Sequence, residues 1–251
     1  FNMNLQQPSS IGILGVGGFT PKRSIPNEDF ARKGLDTNAE WIESRTGIQN
    51  RYISDSDQKT SDLSVQASLE AIKRANINPD EIDFIIVATA TPDYHGFPST
   101  ACLVQEKLKL TRKIPCFDLS AACSGFAYAL STGYSRIRSG LGKIGLIIGA
   151  ESLSSIVDWS DRSTCILFGD GAGAAIIGHV ESGGIISINE GADGSSSDIL
   201  KTQLKENTSS FEESIAYPRP IIEMDGRSVF KKGVKFVEYS LNELFNSSNY
   251  P

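Results

Sequence analysis

The residue best placed to do chemistry in this sequence is Cys123, at the junction of a strand pattern and a helix pattern. The apolar run from Ile114 to Leu119 predicts a short buried strand, and Cys123 follows it after three small residues. From Phe126 onward apolar residues recur at helical spacing, and Gly140 is placed to end the helix. Cys123 therefore lies at the predicted first turn, where free backbone N–H groups and the helix macrodipole favour a thiolate.

The residues alone leave two interpretations of Cys123 open. A thiolate could attack a thioester, and the free N–H groups could hydrogen-bond the oxyanion that forms. Alternatively, Cys123 could be inert packing, since cysteine is among the most often buried residue types. The helix face opposite Phe126, Leu130, Tyr134 and Ile137 is small, which predicts close packing on several sides. Its residues are Gly125, Ala127, Ala129, Ser131 and Gly133.

The other cysteines and the two histidines do not predict a metal site. Cys102, Cys116 and Cys165 form no C-x-x-C pair and have no histidine at ligand spacing, so we expect no bound metal and a reducing compartment. His95 lies in a predicted loop and His179 in an apolar strand pattern, where a solvated side chain is a better interpretation than a catalyst.

A tryptophan and an arginine stand close together at the end of a predicted short helix from Asn38 to Thr46. Trp41 and Arg45 could stack on and pair with an aromatic, phosphorylated ligand, although a surface helix end is the commoner meaning of such a pair. A polar loop is predicted from Asp158 to Thr164. The glycine-rich segments near residues 11–18 and 168–174 match neither a dinucleotide-binding fingerprint nor a phosphate loop.

The elements around Cys123 alternate between strand and helix. An amphipathic helix from Ser61 to Ala75 is predicted to bury Val65, Leu69 and Ile72. It is followed by a strand at 82–89, a helix at 99–108, the Cys123 strand and helix, and a strand at 144–150. This order predicts an α/β fold with a parallel sheet covered by helices on both faces. Sites in such sheets form at the carboxyl ends of strands, where Cys123 lies.

A second half is predicted to begin near Gly183, which divides the chain into residues 1–182 and 183–251. Its predicted elements are a strand at 183–188, a polar loop at 191–204 and an amphipathic helix from Phe230 to Leu244. The polar side of that helix is basic and could be a solvated face or dock an acidic partner. The basic residues are Arg227, Lys231, Lys232 and Lys235.

Charge and hydropathy exclude several classes of function. The 251 residues carry a formal charge of -6, which argues against non-specific nucleic-acid binding. No apolar run approaches the roughly 20 residues of a membrane-spanning helix, and the N-terminus lacks a secretory pattern. We therefore expect a cytoplasmic protein, with a plastid stroma also compatible.

Six segments resemble the thiolase-like condensing enzymes, and most closely the β-ketoacyl-acyl-carrier-protein synthase III family. They occur in the family's order along nearly the whole chain: Trp41 to Ile48, Phe97 to Cys102, Asp118 to Phe126, Asp161-Arg162, Phe168 to Ala174, and Met224 to Phe230. The resemblance implies an αβαβα layered fold of two similar halves, the second incomplete in this chain, and a homodimer.

The resemblance also implies a two-step acyl transfer that starts fatty-acid synthesis. Cys123 would take an acyl group from a short acyl-CoA, a substrate rather than a cofactor. Malonyl-acyl carrier protein would then lose CO2, and its carbanion would attack the thioester. By matching position, Trp41 and Arg162 would flank the CoA adenine, and Arg45 and Thr46 would lie along the CoA path.

The remaining matched positions belong to the acyl pocket, the pantetheine tunnel and the carrier protein. Phe97 would reach across the dimer interface to shape the acyl pocket together with Phe168. Met224, Gly226 and Phe230 would contact pantetheine. Lys231, with Lys232 and Lys235, falls in the region that these enzymes use for the carrier protein.

The family's decarboxylating step needs a histidine and an asparagine in the second half, and neither His95 nor His179 matches that motif. We expect the His motif to follow Pro251 in a longer product, and this chain alone to accept an acyl group but condense poorly. Two alternatives stay open: another condensing enzyme, of polyketide or hydroxymethylglutaryl-CoA type, and a non-catalytic fragment that binds acyl-CoA or carrier protein.

Overall fold

A computed structural model of the chain describes residues 10–206, 210–211 and 218–248. Within them the strands are β1 (Ser10–Phe19), β2 (Arg23–Pro26), β3 (Asn50–Ile53), β4 (Phe84–Ala88), β5 (Cys116–Leu119), β6 (Gly145–Ser152), β7 (Asp170–Val180), β8 (Leu200–Lys205) and β9 (Arg219–Met224). The α-helices are α1 (Glu28–Arg32), α2 (Ala39–Thr46), α3 (Thr60–Ala75), α4 (Thr100–Lys107), α5 (Gly125–Arg138), α6 (Arg162–Cys165) and α7 (Gly226–Ser248). None of these helices is both long and apolar enough to cross a membrane.

The central sheet has the strand order β1-β7-β6-β4-β5. β4 pairs in parallel with β5 and with β6, as the alternation of strands and helices predicts. β1 instead pairs with β7 in the antiparallel direction, so the complete five-stranded sheet is mixed. Helices α4 and α5 connect β4, β5 and β6 and account for the common direction of these three strands.

Helices cover both faces of this sheet, as predicted. Ile85 and Val87 of β4 pack in one apolar cluster with residues of α3 and α4. The alternate residues Phe84 and Ile86 pack in a second cluster with Ala129 and Ile137 of α5. Because every residue of β4 is buried, this strand forms the centre of a three-layer arrangement.

Helix α3 lies unusually close to β1. A Cβ atom on Gly17 would be only 2.2 Å from the carbonyl oxygen of Ala67, so only glycine fits there. The buried residues of α3 include Leu63, Ala67 and Ala71, whereas Leu69 is 47% exposed. The prediction that Leu69 is buried is wrong because small residues, rather than the largest apolar ones, form the face that contacts the strand.

The chain forms two compact units. The first contains residues 10–20, 58–151 and 171–188, and the second contains the remaining described residues. The second unit has its own core, built on large side chains such as Phe30, Ile42 and Trp159. The predicted division at residue 182 is of another kind, because it separates two halves of similar fold and not two compact units. That division stays a prediction.

Three predictions about the chain from Asp158 onward are wrong. Residues 183–188 form no strand among the described residues, although the Ile185 N–H donates to the Ile11 carbonyl at 2.8 Å. The predicted loops contain α6 and β8, and β8 pairs with β9 in an antiparallel ladder. Most residues of β8 are exposed, including Leu200 and Leu204, so pairing with β9 rather than burial of its own side chains decides its conformation. The predicted helix beginning near Phe230 is confirmed as α7.

Candidate active site

Cys123 lies in a short 3-10 turn, Ala122–Ser124, between the end of β5 and the start of α5. Its side chain is exposed. Ala122, immediately before it, has a φ of +45°, a left-handed conformation that costs energy for a residue with a Cβ atom. The strand and helix on either side hold this strained turn, which presents the thiol at the carboxyl end of the sheet. The predicted order of strand, cysteine and helix is confirmed.

The first residues of α5 pack directly on the ends of the central strands. A Cβ atom on Gly125 would be 3.1 Å from the Cβ atom of Ala88 in β4, and a Cβ atom on Gly149 in β6 would be 3.3 Å from the Phe126 ring. Glycine at both positions therefore allows the helix to start close to the sheet. This contact fixes the height of the Cys123 turn above β4 and β6.

Helix α5 packs on more than one side, as its small residues predict, and Leu130 and Tyr134 also pack partly buried against the core. Gly125, Ala129, Gly133 and Ile137 are its buried residues, while Phe126 is exposed. A Cβ atom on Gly133 would be 2.7 Å from side-chain atoms of β6 and β7 residues. The small row thus forms the contact with the sheet, because it lets the helix axis approach closely.

Asp118 joins the strand that carries the nucleophile to helix α4. Its two carboxylate oxygens accept hydrogen bonds from the Thr100 N–H at 2.6 Å and the Ala101 N–H at 2.8 Å. In contrast, Ser124 at the N-cap of α5 makes no capping hydrogen bond with its side chain in the part of the chain that the structure describes. The first turn of α5 is therefore not capped by its own N-cap side chain.

Glu151, which the sequence analysis does not identify, connects the carboxyl ends of β4 and β6, close to the start of α5. Its carboxylate accepts hydrogen bonds from the Ala90 N–H at 2.8 Å and from the hydroxyls of Thr91 at 2.5 Å and Thr89 at 3.4 Å. Burial raises the pKa of this carboxyl, and the hydrogen bonds oppose the rise. The Thr89 N–H also donates to the carbonyl of Leu119, just before the Cys123 turn.

The loop that follows β4 carries two of the discussed residues. His95 is exposed there, and Phe97 is 90% exposed. Asp93 fixes the start of this loop to α3 by accepting hydrogen bonds from the N–H and hydroxyl of Ser61, at 2.8 and 2.6 Å. His179 is exposed on β7. Both histidines thus lie where the sequence predicts, in a loop and on a strand.

In the second unit, Trp41 is contacted by two arginines. The guanidinium carbon of Arg162 lies 4.8 Å from the centroid of the Trp41 ring, and that of Arg45 lies 5.0 Å from it. Asn38 caps the start of α2 by accepting from the Trp41 N–H at 2.8 Å, and Gly47 ends the helix with a φ of +71°. The structure therefore brings these three side chains together as a cation–π group.

Arg162 in this group and Thr46 beside it already have polar partners. Arg162 donates to the main-chain oxygen of Asp36 and lies 3.5 Å from its carboxylate. The Thr46 hydroxyl donates to the Ile42 carbonyl at 2.7 Å and accepts from the Ile48 N–H at 3.0 Å. The Thr46 hydroxyl therefore stabilises the C-terminal end of α2.

The other predicted site residues of the second unit lie at the junction of β9 and α7 or beside the core. Met224 ends β9, Gly226 begins α7, and Phe230 is exposed one turn later. Phe168 packs partly buried against the second unit's core. On α7, Lys231 and Lys235 are exposed, whereas Lys232 lies 3.9 Å from the Asp193 carboxylate and donates to Ser196.

The four thiols differ in their surroundings. Burial raises the pKa of Cys116 and of Cys165 to about 12 in each case, with smaller contributions from Cys102 and Asp161 respectively. Such thiols are protonated at neutral pH and unreactive. Cys102 and Cys123 are the exposed ones.

Comparison with known proteins gives a consistent result for most of the chain. Residues 117–194 match the family model described as 3-oxoacyl-(acyl-carrier-protein) synthase III. A β-ketoacyl-acyl-carrier-protein synthase III of Fusobacterium nucleatum is 50% identical over 230 residues, which cover 90% of this chain and 68% of that protein.

Solved structures of similar proteins share the fold. The crystal structure of β-ketoacyl-acyl-carrier-protein synthase III from Thermus thermophilus aligns with a TM-score of 0.82 and 38% identity, over 95% of this chain and 72% of that one. The priming β-ketosynthase of the R1128 polyketide biosynthetic pathway aligns with a TM-score of 0.80 and 32% identity, over 94% and 70%.

Proposed function

The chain belongs to the 3-oxoacyl-(acyl-carrier-protein) synthase III family, and from this premise we propose which of its residues carry the reaction. It is an acyltransferase that initiates fatty-acid synthesis by condensing an acyl-CoA primer with malonyl-acyl carrier protein. Cys123 is the nucleophile of this proposal. The observation that carries it is the exposed thiol on a strained turn at the start of α5.

In the first step the Cys123 thiolate attacks the thioester carbonyl of acyl-CoA. The tetrahedral oxyanion is stabilised by backbone N–H groups at the first turn of α5, and it collapses with loss of the CoA thiolate, which takes up a proton. In the second step malonyl-acyl carrier protein releases CO2, and its carbanion attacks the acyl-cysteine and frees the thiolate. We assign neither His95 nor His179 to this step, because both lie outside the motif that it requires.

The CoA moiety is proposed to bind in the second unit. Trp41 and Arg162 already form a stack, so an adenine ring that enters between them exchanges one cation–π contact for two stacking contacts. Arg45 and Thr46 follow along the CoA path, and Met224, Gly226 and Phe230 contact pantetheine. Phe97 and Phe168 shape the acyl pocket. The acyl-CoA is a substrate, and we propose no further cofactor.

The carrier protein is proposed to dock on α7. Lys231 and Lys235 project exposed positive charge from a chain whose formal charge is -6, so an acidic partner would be drawn to this helix. Lys232 belongs to the same basic group, with part of its charge engaged by Asp193. The likeness to the R1128 priming ketosynthase favours one second candidate, the priming of polyketide chains by the same acylation chemistry. We further propose a cytoplasmic homodimer.

Alkylation by iodoacetamide tests the assignment of Cys123, with Cys102 as an internal control. Both thiols are exposed, and peptide mapping should find both alkylated in the free protein. Prior incubation with acetyl-CoA should protect Cys123 as its acetyl thioester and leave Cys102 fully reactive. Equal alkylation of Cys123 with and without acetyl-CoA would contradict the proposal.

A further inference from the structure

The end of β4 supports the Cys123 turn on both of its sides. Before the turn, the Thr89 N–H donates to the Leu119 carbonyl at 3.1 Å, just beyond the last paired residues of β4 and β5. After the turn, a Cβ atom on Gly125 would be 3.1 Å from the Cβ atom of Ala88. The turn therefore spans two points of the chain that both rest on the end of β4.

Glu151, near the end of β6, holds this end of β4 in place. One carboxylate oxygen accepts from the Ala90 N–H at 2.8 Å, and the other accepts from the Thr91 hydroxyl at 2.5 Å and the Thr89 hydroxyl at 3.4 Å. Both threonines are buried. On the other side, the Thr91 carbonyl accepts from the Thr60 hydroxyl of α3 at 2.6 Å. Because a buried polar group without a partner costs free energy, loss of the Glu151 oxygens would force this segment to move.

We propose that Glu151 is a positioning residue for the nucleophile, because it fixes the end of β4 on which the Cys123 turn rests. This role rests on the proposed acylation of Cys123. In that step the sulfur must reach the thioester carbon while backbone N–H groups reach the carbonyl oxygen. A displacement of about 1 Å can lower the rate of such a step by about 10²-fold.

The role depends on the hydrogen bonds of Glu151 and not on its charge. A glutamine can fill it, because its carbonyl oxygen can accept from the Ala90 N–H and its amide group can donate to the Thr91 hydroxyl oxygen. Burial also raises the pKa of the Glu151 carboxyl, so the position favours a neutral side chain. An alanine leaves the same groups without this partner.

Asp83 makes a comparable connection at the opposite ends of the same two strands. It precedes β4, and its carboxylate accepts from the Lys143 N–H at 2.7 Å and the Ile144 N–H at 3.2 Å, just before β6. It also pairs with Arg112 at 2.9 Å. Loss of this carboxylate should destabilise the sheet at its amino ends, whereas Cys123 lies at the carboxyl ends. Asp83→Ala therefore separates a general loss of stability from a displaced nucleophile.

The rate of Cys123 acetylation, measured by mass spectrometry over a range of acetyl-CoA concentrations, tests this role. Glu151→Ala should lower the rate constant at saturation by roughly 10- to 100-fold and change the half-saturating concentration by less than about threefold, because the nucleophile moves and the CoA contacts remain. Glu151→Gln should stay within about threefold of the parent rate. Asp83→Ala should retain the parent rate although it unfolds at a lower temperature.

Thr91→Val provides a milder variant for the case that Glu151→Ala does not fold. It removes the shortest of the three hydrogen bonds with little change in side-chain volume, and it should lower the saturated rate by roughly three- to tenfold. Three results would overturn the proposed role. They are parent rates in folded Glu151→Ala or Thr91→Val, an equal loss in Asp83→Ala, and a loss in Glu151→Gln as large as that in Glu151→Ala.

Alkylation by iodoacetamide measures the same turn without acetyl-CoA. Glu151→Ala should lower the alkylation rate of Cys123 relative to Cys102, because the Cys123 thiolate depends on the free N–H groups at the start of α5. An unchanged ratio would contradict the positioning role. Failure of the proposed function has a different signature, in which the folded parent protein takes up no acetyl group while the alkylation ratio still falls in Glu151→Ala.

Discussion

The surroundings of the cysteines distinguish a candidate nucleophile from buried, unreactive thiols. Cys116 and Cys165 are protonated because burial raises the pKa of each thiol to about 12, whereas the Cys123 thiol is exposed on its turn. The sequence predicts the place of Cys123 because the strand, turn and helix that hold it are adjacent in the chain. It does not predict the strained Ala122 conformation, which depends on how β5 and α5 pack.

Glu151 could not be identified from the sequence, because its partners Thr89, Ala90 and Thr91 are about sixty residues away in the chain and meet it only through the pairing of β4 and β6.

The free energy of unfolding should depend on pH through the ionisation of the Glu151 carboxyl. Because the folded-state pKa is raised above the ordinary value of 4.5, the folded protein retains this proton longer than the unfolded chain. Its contribution to stability is full below the unfolded pKa and is lost as pH rises through the folded pKa.

Urea unfolding of the parent protein and of Glu151→Gln, from about pH 4 to about pH 7, measures this effect. Glutamine does not titrate, so the stability of the parent relative to the variant should fall as pH rises. A stability difference that is constant over this range, or that rises with pH, would show that the Glu151 carboxyl is not destabilised by its burial.

At the scale of elements, the contact of α3 with β1 depends on glycines. A Cβ atom on Gly17 would collide with backbone atoms of α3, 2.2 Å from the Ala67 oxygen and 2.5 Å from the Ala71 nitrogen. Backbone atoms cannot move aside as a side chain can. Gly17→Ala should therefore lower the free energy of unfolding by about 1–3 kcal/mol, measured by urea denaturation.

The neighbouring Gly18 is a matched control on the same strand. A Cβ atom there would meet only the Ala172 oxygen, at 3.9 Å. Gly18→Ala should be neutral or stabilise the protein by up to about 1 kcal/mol, because it reduces the entropy of the unfolded chain. Equal losses in both variants would mean that glycine matters to this strand for a reason other than the contact with α3.

Elements with a strong local pattern could be predicted from the sequence, and elements that depend on distant partners could not. The helices α2, α3, α4, α5 and α7 lie within a few residues of their predicted positions, because apolar periodicity and capping residues mark them. The sequence predicts a loop at β8 because the segment is largely polar and exposed, and β9 supplies its hydrogen bonds. The close packing of α5 follows from its small residues, and Gly125, Ala129 and Gly133 are buried.

For the whole molecule, the predicted thiolase-like α/β fold is confirmed by the alignment with the Thermus thermophilus synthase, with a TM-score of 0.82. The motif order along the chain made this prediction possible, since each segment alone is a weak signal. The roles that the resemblance implies for the CoA, pantetheine and carrier-protein residues stay predictions, as does the division into two similar halves.

The proposed homodimer can be measured by sedimentation velocity. In the described chain β5 is at the edge of the sheet, and Phe97 exposes 90% of an apolar side chain. We expect a species of twice the chain mass of 27.1 kDa. Phe97→Glu should shift it toward the monomer, because a charge would be buried at the interface. A parent protein that sediments as a monomer at high concentration would contradict the proposal.

Leu141→Glu serves as the control for Phe97→Glu, since Leu141 is also an exposed apolar residue of the first unit. We expect it to leave the sedimentation of the parent unchanged. Dissociation by both substitutions would indicate a general effect of added charge instead of a specific contact by Phe97.

Intact mass spectrometry after incubation with acetyl-CoA shows whether Cys123 accepts the acyl group. We expect one acetyl group on the parent protein and on Cys102→Ala, and none on Cys123→Ala. The adduct should disappear on treatment with hydroxylamine, which cleaves thioesters. A folded parent protein that gains no acetyl group, or a Cys123→Ala variant that gains one as readily as the parent, would show that Cys123 is not the acyl acceptor.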